Sequence, residues 1–197
     1  LSFFLSLIAM ASYSQKVFKE GTIVKGKTVT YQVRKQKVYG DYLVRNMDNP
    51  DTTLKPLPQR SVYTAQEKDI EMQIAEIIHA NLTPDELSVL KESGDSFGVI
   101  LRVDEKKHKL LQVTCFSFDT YDYRSRPYDG FWLNFDPDRL YKIEWEIVEK
   151  VELPDKMNKS YLTDDFEIIV SYLAICDVEK ARAARQKAIK GWKRKSF

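Results

Sequence analysis

Residues 97–118 read Phe97-Gly98-Val99-Ile100-Leu101-Arg102-Val103-Asp104-Glu105-Lys106-Lys107-His108-Lys109-Leu110-Leu111-Gln112-Val113-Thr114-Cys115-Phe116-Ser117-Phe118. Phe97, Val99, Leu101 and Val103 take every second position, the period of a strand that buries one face. The polar run from Asp104 to Lys109 turns the chain, and Leu111, Val113 and Cys115 continue the alternation on the return. This is an antiparallel hairpin. Two strands do not hold together alone in water, so their partners must lie to either side in the chain.

On both sides the sequence supplies helices to cover such a hairpin. Thr64 with Glu67, and Thr83 with Glu86, have the spacing at which a hydroxyl and a carboxylate satisfy the free amides of a helix start, and Pro84 sits where a missing N–H does no harm. Ile70, Ile74, Ile77 and Ile78 form one stripe after the first start; Leu87 and Leu90 point inward after the second, which stops near Gly94. Asp136 and Pro137 open a third helix, with Leu140, Ile143, Ile147, Val148 and Val151 as its apolar stripe and Pro154 beyond its end. Phe166 to Cys176 is apolar on both faces and reads as a covered strand.

Further upstream, residues 21–46 read as a small β-meander. Ile23 and Val24 precede the Lys25-Gly26-Lys27 turn, Val29, Tyr31 and Val33 alternate with polar residues, and Tyr39, Tyr42, Leu43 and Val44 form a second apolar run. Pro50, Pro56 and Pro58 mark a connection over 46–60. Leu1 to Ala11 is apolar and uncharged, too short for a membrane span and suited to the centre of a secretory signal, with cleavage after Ser14 or Ala11. The expected organisation is a partial signal peptide at 1–14, the meander and linker at 15–60, a helix-flanked antiparallel sheet at 61–178 and a basic C-terminal helix at 179–197. The fold class is α+β.

The stretch from Ile70 to Cys176 resembles the periplasmic C-terminal domain of the TonB and TolA type. The resemblance is carried by Asn81-Leu82-Thr83-Pro84, by the hairpin from Gly98 to Glu105 with Leu111-Gln112-Val113 returning, by Val148 to Pro154, and by Glu167-Ile168-Ile169-Val170. As a whole the short exported chain resembles a family of secreted proteins of unknown function from gut Bacteroidetes. Both resemblances imply a place in the cell envelope: periplasmic, outer-membrane-associated or extracellular.

Charge is nearly balanced, with 31 basic and 29 acidic residues, and this gives no general attraction to nucleic acid. The balance is uneven along the chain, because Glu179 to Phe197 is strongly basic. As a helix with Val178, Ala181, Ala184, Ala188 and Trp192 on one stripe, this tail either balances an acidic body or touches an anionic surface. Two cysteines exclude a disulfide-dense scaffold; in an oxidising compartment Cys115 and Cys176 either pair or pack as small hydrophobes.

The richest recognition chemistry is in residues 116–135, where Phe116, Phe118, Tyr121, Tyr123, Tyr128, Phe131, Trp132 and Phe135 accompany Arg124 and Arg126. Tyr121, Tyr123, Tyr128 and Trp132 suit stacking on a sugar or anchoring a peptide, with Arg124 and Arg126 reading an anion beside them. The opposing possibility is that these aromatics form a small core of their own. Asn134, Asp136 and Asp138 start like a calcium loop but lack its glycine and closing acid, so no metal is expected and helix capping accounts for Asp136. His79 and His108 have no nucleophile in their local sequence. The expectation is a non-catalytic binding or interaction module, without cofactor, for an envelope protein or glycan. Its alternatives are a carbohydrate-active hydrolase using loop carboxylates such as Asp122 and Asp129, or a structural component assembling through a sheet edge.

Overall fold

A computed structural model describes residues 17–36, 41–49, 59–60, 65–93, 97–104, 107, 109–118, 130–153 and 165–172. The segments 1–14 and 179–197, the prolines of the 50–58 connection, the start at Thr64, Tyr121, Tyr123, Arg124, Arg126, Tyr128, Asp122, Asp129, His108 and Cys176 lie outside the described residues. The chain runs β1 (Ile23–Lys25), β2 (Thr30–Lys35), β3 (Tyr42–Asn46), β4 (Gln59–Arg60), α1 (Ala65–Asn81), α2 (Pro84–Ser93), β5 (Phe97–Asp104), β6 (Lys109–Phe118), a 3-10 turn (Phe131–Asn134), α3 (Pro137–Lys150) and β7 (Asp165–Tyr172). This is an α+β fold.

The seven strands form one sheet in the order β1-β2-β3-β6-β5-β7-β4. All neighbours are antiparallel except β4, a two-residue parallel partner of β7 at one edge. The meander does not pack on the sheet; it extends it. β3 pairs with β6 through Tyr42↔Phe118, Leu43↔Ser117 and Val44↔Phe116, which places residues of the expected 15–60 and 61–178 units in a single hydrogen-bonded ladder. Those pairs satisfy backbone groups that an isolated hairpin would leave to water.

The alternation expected of β5 is found, with Val99, Leu101 and Val103 buried. That expected of β6 is not. Its register slips twice, so that Ile100 faces Cys115 but Leu101 faces Val113, and Arg102 faces Gln112 but Val103 faces Leu110. Thr114 and Leu111 are the extra residues, and each bulge moves the following side chains to the other face. The core face of β6 is therefore Leu110, Val113, Phe116 and Phe118, while Cys115 faces the opposite side.

The helical stripes meet this face. Ile70, Ile74, Ile77 and Ile78 of α1 and Leu140, Ile143, Ile147 and Val151 around α3 share one buried cluster with Val24, Val33, Val44, Val99 and Leu101. Val148 packs against it half-buried. Each fully buried side chain of this size contributes roughly 1.5–3 kcal/mol relative to exposure, which explains how two amphipathic helices hold a seven-stranded sheet on one side. Both helix starts among the described residues are capped as expected. Thr83 N–H donates to Glu86 Oε2 (2.8 Å) and Glu86 N–H to Thr83 Oγ1 (3.3 Å), while Arg139 N–H donates to Asp136 Oδ1 (2.9 Å).

Candidate functional site

Where β2, β3 and α3 meet, the core contains a polar cluster. Tyr31 occupies an inward position of β2 between Val29 and Val33, Asn46 ends β3, and Glu144 lies within the apolar stripe of α3, next to Ile143. The Tyr31 hydroxyl donates to Glu144 Oε2 at 2.8 Å, and Glu144 Oε1 accepts from Asn46 Nδ2 at 3.1 Å and Asn49 Nδ2 at 3.0 Å. Asn49 also donates to the Val113 carbonyl, which joins the turn after β3 to β6. Glu144 is 4 % exposed, Asn46 3 % and Tyr31 0 %, so these three are closed to solvent, while Asn49 in the turn is half-buried.

Burial pushes the Glu144 carboxyl above the usual carboxylate range. The donors from Tyr31, Asn46 and Asn49 oppose that shift, and the nearby Asp48 adds to it. Tyr31 is itself pushed well above the ordinary phenol range by burial and by Glu144. A carboxyl and a phenol can handle protons, but here both are buried and engaged with each other and with the two amides.

Two further contacts seat α3. Asp138 Oδ1 accepts from Lys27 N (2.7 Å), Thr28 N (3.2 Å) and Thr28 Oγ1 (3.3 Å), fastening the β1–β2 turn to the first turn of the helix. A Cβ on Gly26 would come within 2.5 Å of that oxygen, which is why the turn needs glycine there. On the other flank Arg139 grips Glu86 with two bonds, 2.6 and 2.8 Å, and donates to the Asn81 carbonyl at 2.7 Å. Its guanidinium also lies 4.6 Å from the centre of the Phe135 ring.

Hydrogen bonds from Arg139 hold Glu86 at about 2 against an ordinary 4.5. A lowered carboxyl contributes stability that is fully present above its unfolded value and is lost as the pH falls through the folded one. Because the Arg139 side chain is 39 % exposed, solvent screening limits the contribution to about 1 kcal/mol. Glu86→Gln should accordingly melt lower than the parent at neutral pH, and the gap should close between about pH 4.5 and 2. A gap that stays constant across an acid series of thermal melts would contradict this.

The residues singled out from sequence are distributed differently from expectation. Trp132 is 1 % exposed, stacked on Phe118 at 6.1 Å and tilted against Phe135 at 5.2 Å. It is core, and the contact role expected of it gives way to packing. Phe116, Phe118 and Phe135 are buried with it, and Phe18 joins them at 5.7 Å from Phe118. Asp136 and Asp138 are occupied as helix cap and turn clamp, Asn134 and His79 are exposed, and Cys115 is buried on β6. Among the described residues no group of three or more His, Cys, Asp or Glu is placed to hold a metal ion, and no helix is long and apolar enough to cross a membrane. The Tyr31–Asn46–Asn49–Glu144 cluster escaped the sequence reading. Its signal was a carboxylate in the middle of the α3 stripe and a phenol at an inward strand position.

No family model matches the sequence, and no curated protein does. Among solved structures the chain is similar to a DUF5043 family protein from Bacteroides uniformis, with a TM-score of 0.55 at 12 % identity over 81 % of this chain and 87 % of that one. The likeness is one of fold, and it agrees with the resemblance to a Bacteroidetes family of unknown function.

Proposed function

We propose that this chain is a non-catalytic interaction module of the cell envelope, which contacts an envelope protein or glycan through residues 119–129. The observation that carries this reading is the fixing of both ends of that connection: Phe118 on one side and Trp132 on the other are buried in the same aromatic cluster. In the sequence Tyr121, Tyr123, Arg124, Arg126 and Tyr128 lie between these two anchors. Among the described residues the shifted side chains Glu144, Tyr31 and Glu86 are engaged in contacts that join strands and helices, which supports binding over catalysis. The resemblance of residues 70–176 to TonB- and TolA-type periplasmic domains supports the envelope setting, and the basic 179–197 segment adds a second contact for anionic surfaces.

The triple variant Tyr121→Ala, Tyr123→Ala, Tyr128→Ala tests this against immobilised peptidoglycan and envelope polysaccharide. Loss of three aromatic anchors should weaken retention by at least about thirtyfold, with the melting temperature unchanged. Equal retention of variant and parent on every matrix would reject the glycan form of the reading.

A further inference from the structure

We propose that Glu144 is a neutral carboxylic acid in the closed fold, and that its ionisation opens the Met47–Asn49 turn, so that the seam between β2, β3 and α3 is a proton-operated latch. The first ground is the set of partners. Among the described residues the hydrogen bonds to Glu144 come from neutral groups: the Tyr31 hydroxyl, the Asn46 amide and the Asn49 amide. The basic side chains of α3 are engaged elsewhere, Lys142 and Lys150 with Glu146 and Arg139 with Glu86.

The second ground is the charge that surrounds it. From the turn after β3 comes Asp48, whose carboxylate accepts from Thr30 N–H at 3.0 Å; from α3 itself come Asp138 and Tyr141, both acting on Tyr31; from β2 comes Tyr31; from β6 comes only the Val113 carbonyl, taken by Asn49. These groups are acidic or neutral. Among the described residues a buried carboxylate here meets like charge and neutral dipoles, an arrangement that favours retention of the proton. Protonation breaks none of the three bonds. Oε1 as a carbonyl still accepts both amides, and because either oxygen of the 2.8 Å Tyr31–Glu144 pair can be the donor, that contact persists with its direction reversed.

The third ground is the location of the weakest wall. Tyr31 and Asn46 belong to paired strands, whereas Met47 and Asp48 are exposed and Asn49 is half-buried. The turn is held by Met47 N–H to the Thr30 carbonyl (2.8 Å), Asp48 N–H to Asn46 Oδ1 (2.9 Å), and the contacts of Asp48 and Asn49 already given. Lifting it lets water reach Glu144 without separating α3 from the apolar core, so hydrating a new charge takes this route.

The linkage sign follows from the direction of the shift. A carboxyl raised in the folded state contributes stability that is fully present below its unfolded value and is lost as the pH rises through the folded one. Glu144→Gln reproduces the neutral acid, with Oε1 accepting the two amides and Nε2 donating to Tyr31. On raising the pH from about 5 to 8, hydrogen exchange at the Met47 and Asp48 amides should accelerate in the parent by at least roughly tenfold more than in Glu144→Gln, and the variant should melt higher than the parent at the upper pH. In the unsubstituted protein, an infrared carbonyl band of a neutral carboxylic acid should persist where exposed carboxyls are ionised and vanish at higher pH. This measurement decides the matter even if the variant fails to fold. Equal pH dependence of exchange in the two proteins, a variant less stable than the parent at the upper pH, or absence of the infrared band would each overturn the latch.

Discussion

Trp132→Ala is expected to remove about 3–5 kcal/mol of stability, enough to leave a domain with a total of roughly 5–15 kcal/mol partly or wholly unfolded. The indole is 1 % exposed and touches three aromatic rings, with ring centres 5.0 Å away for Phe131, 5.2 Å for Phe135 and 6.1 Å for Phe118. Through Phe118 the cluster extends to Phe18 and on to Tyr31. The cavity left by alanine cannot close readily, because its walls are a strand of the sheet, the 3-10 turn and the segment at Phe18, whose N–H is tied to the Leu133 carbonyl at 2.9 Å. Trp145 is the internal control: at 53 % exposure on α3, its replacement by alanine should change stability by no more than about 0.5 kcal/mol. Urea denaturation of the two variants makes the comparison, and similar midpoints would contradict the packing described.

Tyr31→Phe carries the second large effect. It deletes one oxygen from a buried site, leaving Glu144 Oε2 without its Tyr31 donor, and should reduce stability by about 1–3 kcal/mol. The ring itself stays, so the apolar contacts with Phe18 are preserved and the loss reports on the hydroxyl. There is also a consequence for pH. The Tyr31 bond opposes the upward shift of Glu144, so its removal pushes that carboxyl higher still and extends the decline of stability, which begins at the unchanged unfolded value, to a higher pH. In a Glu144→Gln background the hydroxyl deletion should lose its pH dependence. Thermal melts of the single and double variants over a pH series test this, and a pH-dependent effect of Tyr31→Phe that survives in the glutamine background would exclude Glu144 as its origin.

The parts of the fold that were legible in the sequence are those in which a local pattern and a local partner suffice. A capping box closes within four residues, so Thr83 and Glu86 could be read with confidence in their geometry, and the stripes of α1 and α3 needed only the period of a helix. The β6 face could not be read this way. A bulge changes the parity of every residue beyond it, and nothing in Leu110 to Phe118 by itself says that Leu111 and Thr114 are the inserted positions; the partner strand decides. Nor could Trp132 be assigned, since an aromatic in a long connection has the same composition whether it covers a core or waits for a ligand.

The candidate site shows the same division. Glu144 was visible as an acid within an apolar stripe, but its donors come from Tyr31, Asn46 and Asn49, about a hundred residues earlier in the chain. The sequence by itself determined the β5–β6 hairpin, the helix starts at Thr83 and Asp136, the apolar stripes of α1 and α3 and the α+β class, because backbone capping and amphipathic periodicity act over a few residues. β4, inside the 46–60 stretch read as a connection, needed its partner β7 to be a strand. Only the tertiary structure decided that the meander extends the sheet, which residues of β6 face the core, that Trp132 is core, and that three polar side chains meet around one buried carboxyl. Those outcomes depend on which surfaces exclude water together, and burial is a property of elements brought into contact across the whole chain.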